Sequence, residues 1–251
     1  MTPPAVLLPS YQFSPGFFVR WLFTVLVLRR RLHAGRNALE MLAGKPRPRV
    51  EGIERLPASG PCVVVMNHYE RPGLRVWWGV ALATAAVWEH RGDPPMRWLM
   101  TDRFEGFRIA GLRWPDVFMA WMLGRVAWAY GHLPVPKPEG DAAPRALVLR
   151  DARRTLRDGG VVGVTPEAAS GYGPELAAAW PGSGAAIAWL SGGKVPIVPV
   201  AFFEDDEARL VARFGEPFTL DRMGDDEGAE AVMGAVAALL PAELHGVYGS
   251  E

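Results

Sequence analysis

The stretch that decides the reading of this chain is Val63-Val64-Val65-Met66-Asn67-His68-Tyr69-Glu70-Arg71-Pro72-Gly73-Leu74 (residues 63–74). Three valines and a methionine in succession form a short apolar run of the kind that makes a buried strand. The run ends at Asn67-His68, and Pro72-Gly73 precede a second apolar segment. Proline suits the first position of a helix, where its missing N–H would have no partner. The stretch therefore predicts strand, polar turn and a helix over 74–88, with His68 in the turn. In an open α/β sheet, ligands gather at the carboxyl ends of the strands. A histidine near a helix N-terminus is held toward its neutral, proton-accepting form. Taken alone, a solvated turn histidine accounts for the same residues.

The surrounding composition is globular: 251 residues, 49% hydrophobic and 22% charged. That length buries a sizeable core and fits one α/β domain with an appendage. Ten tryptophans are many for this length, and those between 77 and 128 suit either a lipid-handling surface or a large aromatic core. The single cysteine, Cys62, excludes an internal disulfide framework and a cysteine-based zinc site, and the histidines lack metal-ligand spacing. The zero net charge hides an asymmetry. Residues 1–50 carry eight basic side chains against Glu40 alone, whereas residues 204–230 hold ten acids. One end is thus suited to an anionic surface. Its adjoining apolar segment favours a membrane over nucleic acid.

That segment, residues 16–28, reads as a strongly apolar helix closed by Arg29-Arg30-Arg31. At 1.5 Å per residue it spans roughly 20 Å, short of a ~30 Å hydrocarbon core, and Arg20 interrupts it. A positive cluster that follows the apolar run also argues against a secretory signal. A second helix over about 33–43, with Leu39 and Leu42, completes a hairpin expected to lie on a membrane. There the arginine triplet contributes roughly 3 kcal/mol at an anionic leaflet; packing on the main domain is the alternative. The expected division is a membrane-associating helical segment at 1–48 and an α/β domain at 49–251. Within the latter, strands are expected at 96–100, 161–164, 195–203 and 209–214. Helices are expected at 103–130 (broken near Pro115), 144–157, 175–192 after a loop, and 227–240. Strands alternating with helices predict a parallel or mixed sheet covered on both faces.

No Walker loop, nucleophile elbow, dinucleotide-binding glycine pattern or zinc-protease helix is present. What remains is a set of polar residues following apolar strands: His68, Lys137 and Glu167. On these residues the chain resembles the phospholipid and glycerolipid acyltransferase family. Asn67-His68 is similar to the family's Asn-His-x4-Asp block and Gly131–Lys137 to its second block. Val164–Ser170 is similar to the Phe-Pro-Glu-Gly-Thr-Arg-Ser block, and Val195–Val200 to the fourth. The likeness extends over about residues 50–248. Three departures stand out: the first block's Asp falls at Gly73, Gly-Thr-Arg of the third has become Ala168-Ala169-Ser170, and the second ends in Lys137 rather than Arg. Lysine keeps the charge but lacks the planar fork of arginine.

The resemblance implies an acyltransferase-like mixed α/β sheet covered by helices, with an N-terminal helical hairpin. It implies transfer of a fatty acyl group from acyl-CoA or acyl carrier protein, as co-substrate, to a hydroxyl of a lysophospholipid or other lipid-like alcohol. No further cofactor and no metal are expected. His68 would be the general base, and with the Asp absent its ring would be oriented by Glu70 or by Glu167. Asn67, Arg71, Lys137, Pro166 and Ser170 are the expected substrate contacts. The expected partners are the two substrates and a membrane surface, and the expected location is peripheral, on the cytoplasmic face. A non-catalytic lipid-binding relative is the alternative, which the loss of the Asp favours.

Overall fold

The computed structural model describes residues 10–102, 108–109, 112–136, 142–167 and 173–249. Seven strands form one sheet: β1 (Arg49–Glu51), β2 (Cys62–Met66), β3 (Met96–Thr101), β6 (Leu133–Val135), β7 (Val161–Val164), β8 (Ile197–Glu204) and β9 (Leu210–Phe214). Their order is β1-β9-β8-β2-β7-β3-β6. β8, β2, β7, β3 and β6 are mutually parallel; β9 runs antiparallel to β8, and β1 pairs parallel with β9. Parallel strands buried on both faces read as continuous hydrophobic runs. That is why Cys62–Met66 and Val161–Val164 are buried at every residue.

The covering helices are α3 (Trp77–Arg91), α4 (Asp116–Tyr130), α5 (Ala142–Arg157), α6 (Ser183–Ser191) and α7 (Asp225–Ala237), preceded by α1 (Pro15–Leu22) and α2 (Ala34–Leu42). A π turn, Phe23–Val27, continues α1 and packs against α4. α2 lies along α3, burying Ala38 and Leu42. The approach is close: a Cβ at Gly35 would overlap the Trp88 ring. Trp98 in β3 donates its indole N–H to Thr84 of α3 at 2.9 Å, fixing the helix on the sheet.

Two local expectations change. The helix after β2 begins at Trp77 rather than 74, because Arg71-Pro72-Gly73-Leu74 closes on itself: Arg71 N–H donates to the Leu74 carbonyl at 3.1 Å and Leu74 N–H to the Arg71 carbonyl at 2.9 Å. Proline at the second turn position and glycine at the third, with φ +84°, are the pattern of a type II turn. Pro72 therefore shapes a turn and not a helix start. Similarly, the region expected to be helical over 103–130 includes an antiparallel pair, β4 (Arg108–Ile109) with β5 (Leu112–Arg113), ahead of α4. Among the described residues no helix is long and apolar enough to cross a membrane.

Candidate active site

The site forms where β2, β7 and β8 end. Asn67 follows β2 directly and is almost wholly buried. Its amide donates to the Phe202 carbonyl at 2.8 Å and accepts the Phe202 N–H at 2.6 Å. Its side chain thus pairs with β8 as a further peptide of β2 would, one residue beyond the backbone ladder. Leaving either Phe202 group unpaired in the interior would cost about 1–3 kcal/mol. The Asn beside the histidine is in this way a framework residue that fixes where the strand stops and the loop turns.

Glu167, three residues beyond β7, holds the same loop from the other side. One carboxylate oxygen accepts the backbone N–H of His68, and the other accepts that of Ala177 at 2.7 Å. Burial pushes this carboxyl up to about 7, against the pull of the two N–H groups. Glu167 therefore fixes the backbone of the histidine rather than its ring. Pro166 is buried beside it, its carbonyl accepting Trp180 N–H at 2.7 Å.

His68 is half-buried at the top of β2. Burial lowers the proton affinity of its ring; Glu70 and the ring's own backbone carbonyl act in the opposite sense, and Arg75 adds to the lowering. The neutral state expected from a helix N-terminus is thus present for a different reason, since α3 starts nine residues downstream. Glu70 itself is buried. Its carboxylate accepts the Val76 N–H at 3.0 Å, leading into α3, and pairs with Arg75 Nη1 at 3.0 Å. Negative charge is favoured there by the helix dipole. Among the described residues the His68 ring makes no hydrogen bond to a carboxylate, so Glu70 acts on it through its field.

Arg71, expected as a substrate contact, has its guanidinium in a forked pair with Glu204 at the end of β8, both side chains nearly buried. Tyr69 O–H also reaches Glu204, at 3.4 Å. This cluster ties the loop to β8 as Asn67 does, and it turns the Arg71 charge inward. Lys137 and Ser170 lie outside the described residues. Sequence reading missed Arg75, Glu204 and Tyr11, whose backbone N–H donates to Gly73 at 2.8 Å and whose hydroxyl donates to Ala208 at 3.1 Å. The one available signal was Glu204, the first acid after a buried strand. Among the described residues no three His, Cys, Asp or Glu side chains converge as a metal site.

The Asp position of the first block, Gly73, is the left-handed residue of the turn. A Cβ there would face Ser10, 3.2 Å from its hydroxyl. The loop has therefore been rebuilt as a turn, and Glu70 is the carboxylate nearest in sequence to His68.

Comparisons agree with this architecture. A family model described as Acyltransferase matches residues 47–203. Among solved structures, the fold is similar to that of the 1-acyl-sn-glycerophosphate (LPA) acyltransferase PlsC from Thermotoga maritima. The TM-score is 0.51 at 16% identity, over 89% of this chain and 92% of that one. No curated protein sequence matches the chain. The matched span takes in β2 with its Asn-His turn, β7 with its Pro-Glu, and β8 almost to its end, and the chain belongs to the acyltransferase family.

Proposed function

We propose that this acyltransferase moves a fatty acyl group from acyl-CoA or acyl carrier protein to a hydroxyl of a lysophospholipid or similar lipid-like alcohol, with His68 as general base. The observation that supports it is the half-buried His68 imidazole, biased by burial toward its neutral form, with the buried carboxylate of Glu70 two residues away. The ring takes the acceptor's hydroxyl proton as the oxygen attacks the thioester carbonyl. When the C–S bond breaks, the imidazolium returns that proton to the departing thiolate. Glu70 favours the imidazolium formed between these events, which is the task of the missing Asp. Asn67, Glu167 and the Arg71–Glu204 pair keep the loop in place and do not touch the reacting atoms. Lys137 and Ser170 are the remaining candidates for substrate contact.

A peripheral place at a membrane surface, on the cytoplasmic face, fits the apolar side chains that α1, the π turn and α4 leave exposed. These include Phe18, Val19, Phe23, Val27, Val117 and Trp121, with Arg29, Arg30 and Arg31 at the end of the π turn.

The test is turnover of the purified protein with acyl-CoA and acyl carrier protein donors over a panel of lysophospholipids and long-chain alcohols. His68→Ala is expected to abolish transfer, and Glu70→Gln to lower kcat by about 10²-fold or more with a much smaller change in KM. A His68→Ala variant as fast as the parent, or a parent inert with every donor, would overturn the reading and leave a lipid-binding relative without catalysis.

A further inference from the structure

At the opposite end of the sheet from His68, near the start of β3 and β6, lies a cleft of about 260 Å³. Arg31, Arg97, Trp128, Gly131 and His132 are among its walls. Arg97 is the second residue of β3, so roughly 13 Å of strand separates it from the end that faces the active site. The guanidinium of Arg31 lies 4.4 Å from the centre of the Trp128 ring and donates to the Trp128 carbonyl. Arg125 lies 4.9 Å from the same ring. Arg97 donates to the Gly131 carbonyl and, at 3.4 Å, to the Thr155 hydroxyl.

Among the described residues none of these three arginines is ion-paired with a carboxylate. Burial presses most on the Arg97 cation; the charge of Asp151 eases it, and the smaller effect of the Arg31 charge adds to the pressure. His132 adds a neutral donor. Burial, reinforced by Arg97, takes its ring down to about 4, and its Nδ1 accepts the Trp98 N–H at 3.3 Å. The ring proton therefore sits on Nε2, which has no partner among the described residues. Two guanidiniums and an N–H around one cleft, with no carboxylate paired to either guanidinium among the described residues, match the acceptor oxygens of a phosphate.

We propose that this cleft binds the phosphate of an anionic phospholipid headgroup, with Arg31 and Arg97 as charged donors and His132 Nε2–H as a neutral one. The lipid source follows from the surroundings. Trp128 is itself exposed at the cleft, and the chain leading to Arg31 is the π turn with its exposed Phe23, Val27 and Leu28. Leu32 N–H holds that chain to the Ala129 carbonyl at 2.9 Å. A headgroup could thus enter the cleft while its acyl chains lie along apolar side chains. The inference rests on the docking of this face to a membrane. It adds a lipid site separate from the one at which acyl transfer is placed.

The test compares sedimentation of the full chain with phosphatidylcholine vesicles, with and without phosphatidylglycerol. Arg30, exposed and outside the cleft, is the control. Loss of one cation near an anionic leaflet weakens binding about fivefold wherever it lies. Arg31→Gln should weaken binding to the anionic vesicles by about a further tenfold, the equivalent of one charge-assisted hydrogen bond. Arg31→Lys, which keeps the charge and loses the fork, should retain most of that extra loss, while Arg30→Lys should match the parent. Inorganic phosphate at matched ionic strength should not displace the vesicles. Equal effects at positions 30 and 31 would overturn the site and leave a diffuse basic surface. Equal binding of the parent to both vesicle types would overturn the site alone, and binding to neither would overturn the docking as well. Displacement by inorganic phosphate would overturn the lipid source.

Discussion

At the scale of single residues, the proposed mechanism divides between two carboxylates around His68 the work that one Asp does in the block the sequence resembles. Glu70 supplies the field at the ring and Glu167 the hold on the backbone. Their acidities differ in a way that can be measured. Glu167 is raised from the ordinary 4.5 to about 7. Between those values the folded state keeps a proton that the unfolded state has released. Its contribution to stability is therefore complete below about pH 4.5 and falls as pH rises toward 7, by an amount of the order of 3 kcal/mol. Glu167→Gln removes this slope. Urea unfolding of parent and variant from pH 4.5 to 7.5 should show the parent losing stability relative to the variant as pH rises. Parallel curves would mean that Glu167 titrates as an ordinary surface acid.

At the scale of elements, the strand–turn–helix unit from Cys62 to Arg91 shows how a local rule can be right in kind and shifted in place. The apolar run predicted the strand and its end at Asn67. Pro72-Gly73 signalled a change of direction, but proline serves a helix start and a type II turn equally well, and only the closing Arg71–Leu74 pair distinguishes them. The turn also bears on the missing Asp. Restoring the block by Gly73→Asp puts a side chain on a left-handed residue beside Ser10. That costs about 1–2 kcal/mol, or about 2–8 °C in Tm at this chain length. Turnover should not rise, because the turn directs the new carboxylate toward Ser10. A variant faster than the parent would show that the loop can revert to the arrangement of the resembled block and that Glu70 is no substitute.

At the scale of the whole molecule, the N-terminal segment is built into the fold. Tyr11 ties the loop after β2 at Gly73 to the β8–β9 connection at Ala208. Phe13 stacks at 5.3 Å on Trp78, whose own ring is fully buried in α3, and α2 packs along that helix. Removing residues 1–45 takes Tyr11, Phe17, Ala38 and Leu42 out of burial and uncovers α3. At about 1.5–3 kcal/mol for each large apolar side chain, this is comparable with the whole stability of a domain. The truncated chain is expected to lose cooperative thermal unfolding by circular dichroism. A truncation that melts within a few degrees of the full chain would show that the segment is an appendage.

By itself the sequence determined the features that depend on neighbours in the chain. The all-apolar runs at 63–66, 161–164 and 197–203 could be stable only as strands buried on both faces. The polar residues that end two of them, Asn67-His68 and Pro166-Glu167, marked the functional edge through their order and resemblance. Tertiary structure decided what each of those polar groups meets. Asn67 found the backbone of Phe202, Arg71 found Glu204, and Glu167 found the N–H of His68, at separations of 135, 133 and 99 residues. A side chain's hydrogen-bonding capacity is written in its type, but its partner is chosen by which strand ends the sheet order brings together. For that reason the sequence could nominate these strand-end residues but not the partner each of them meets.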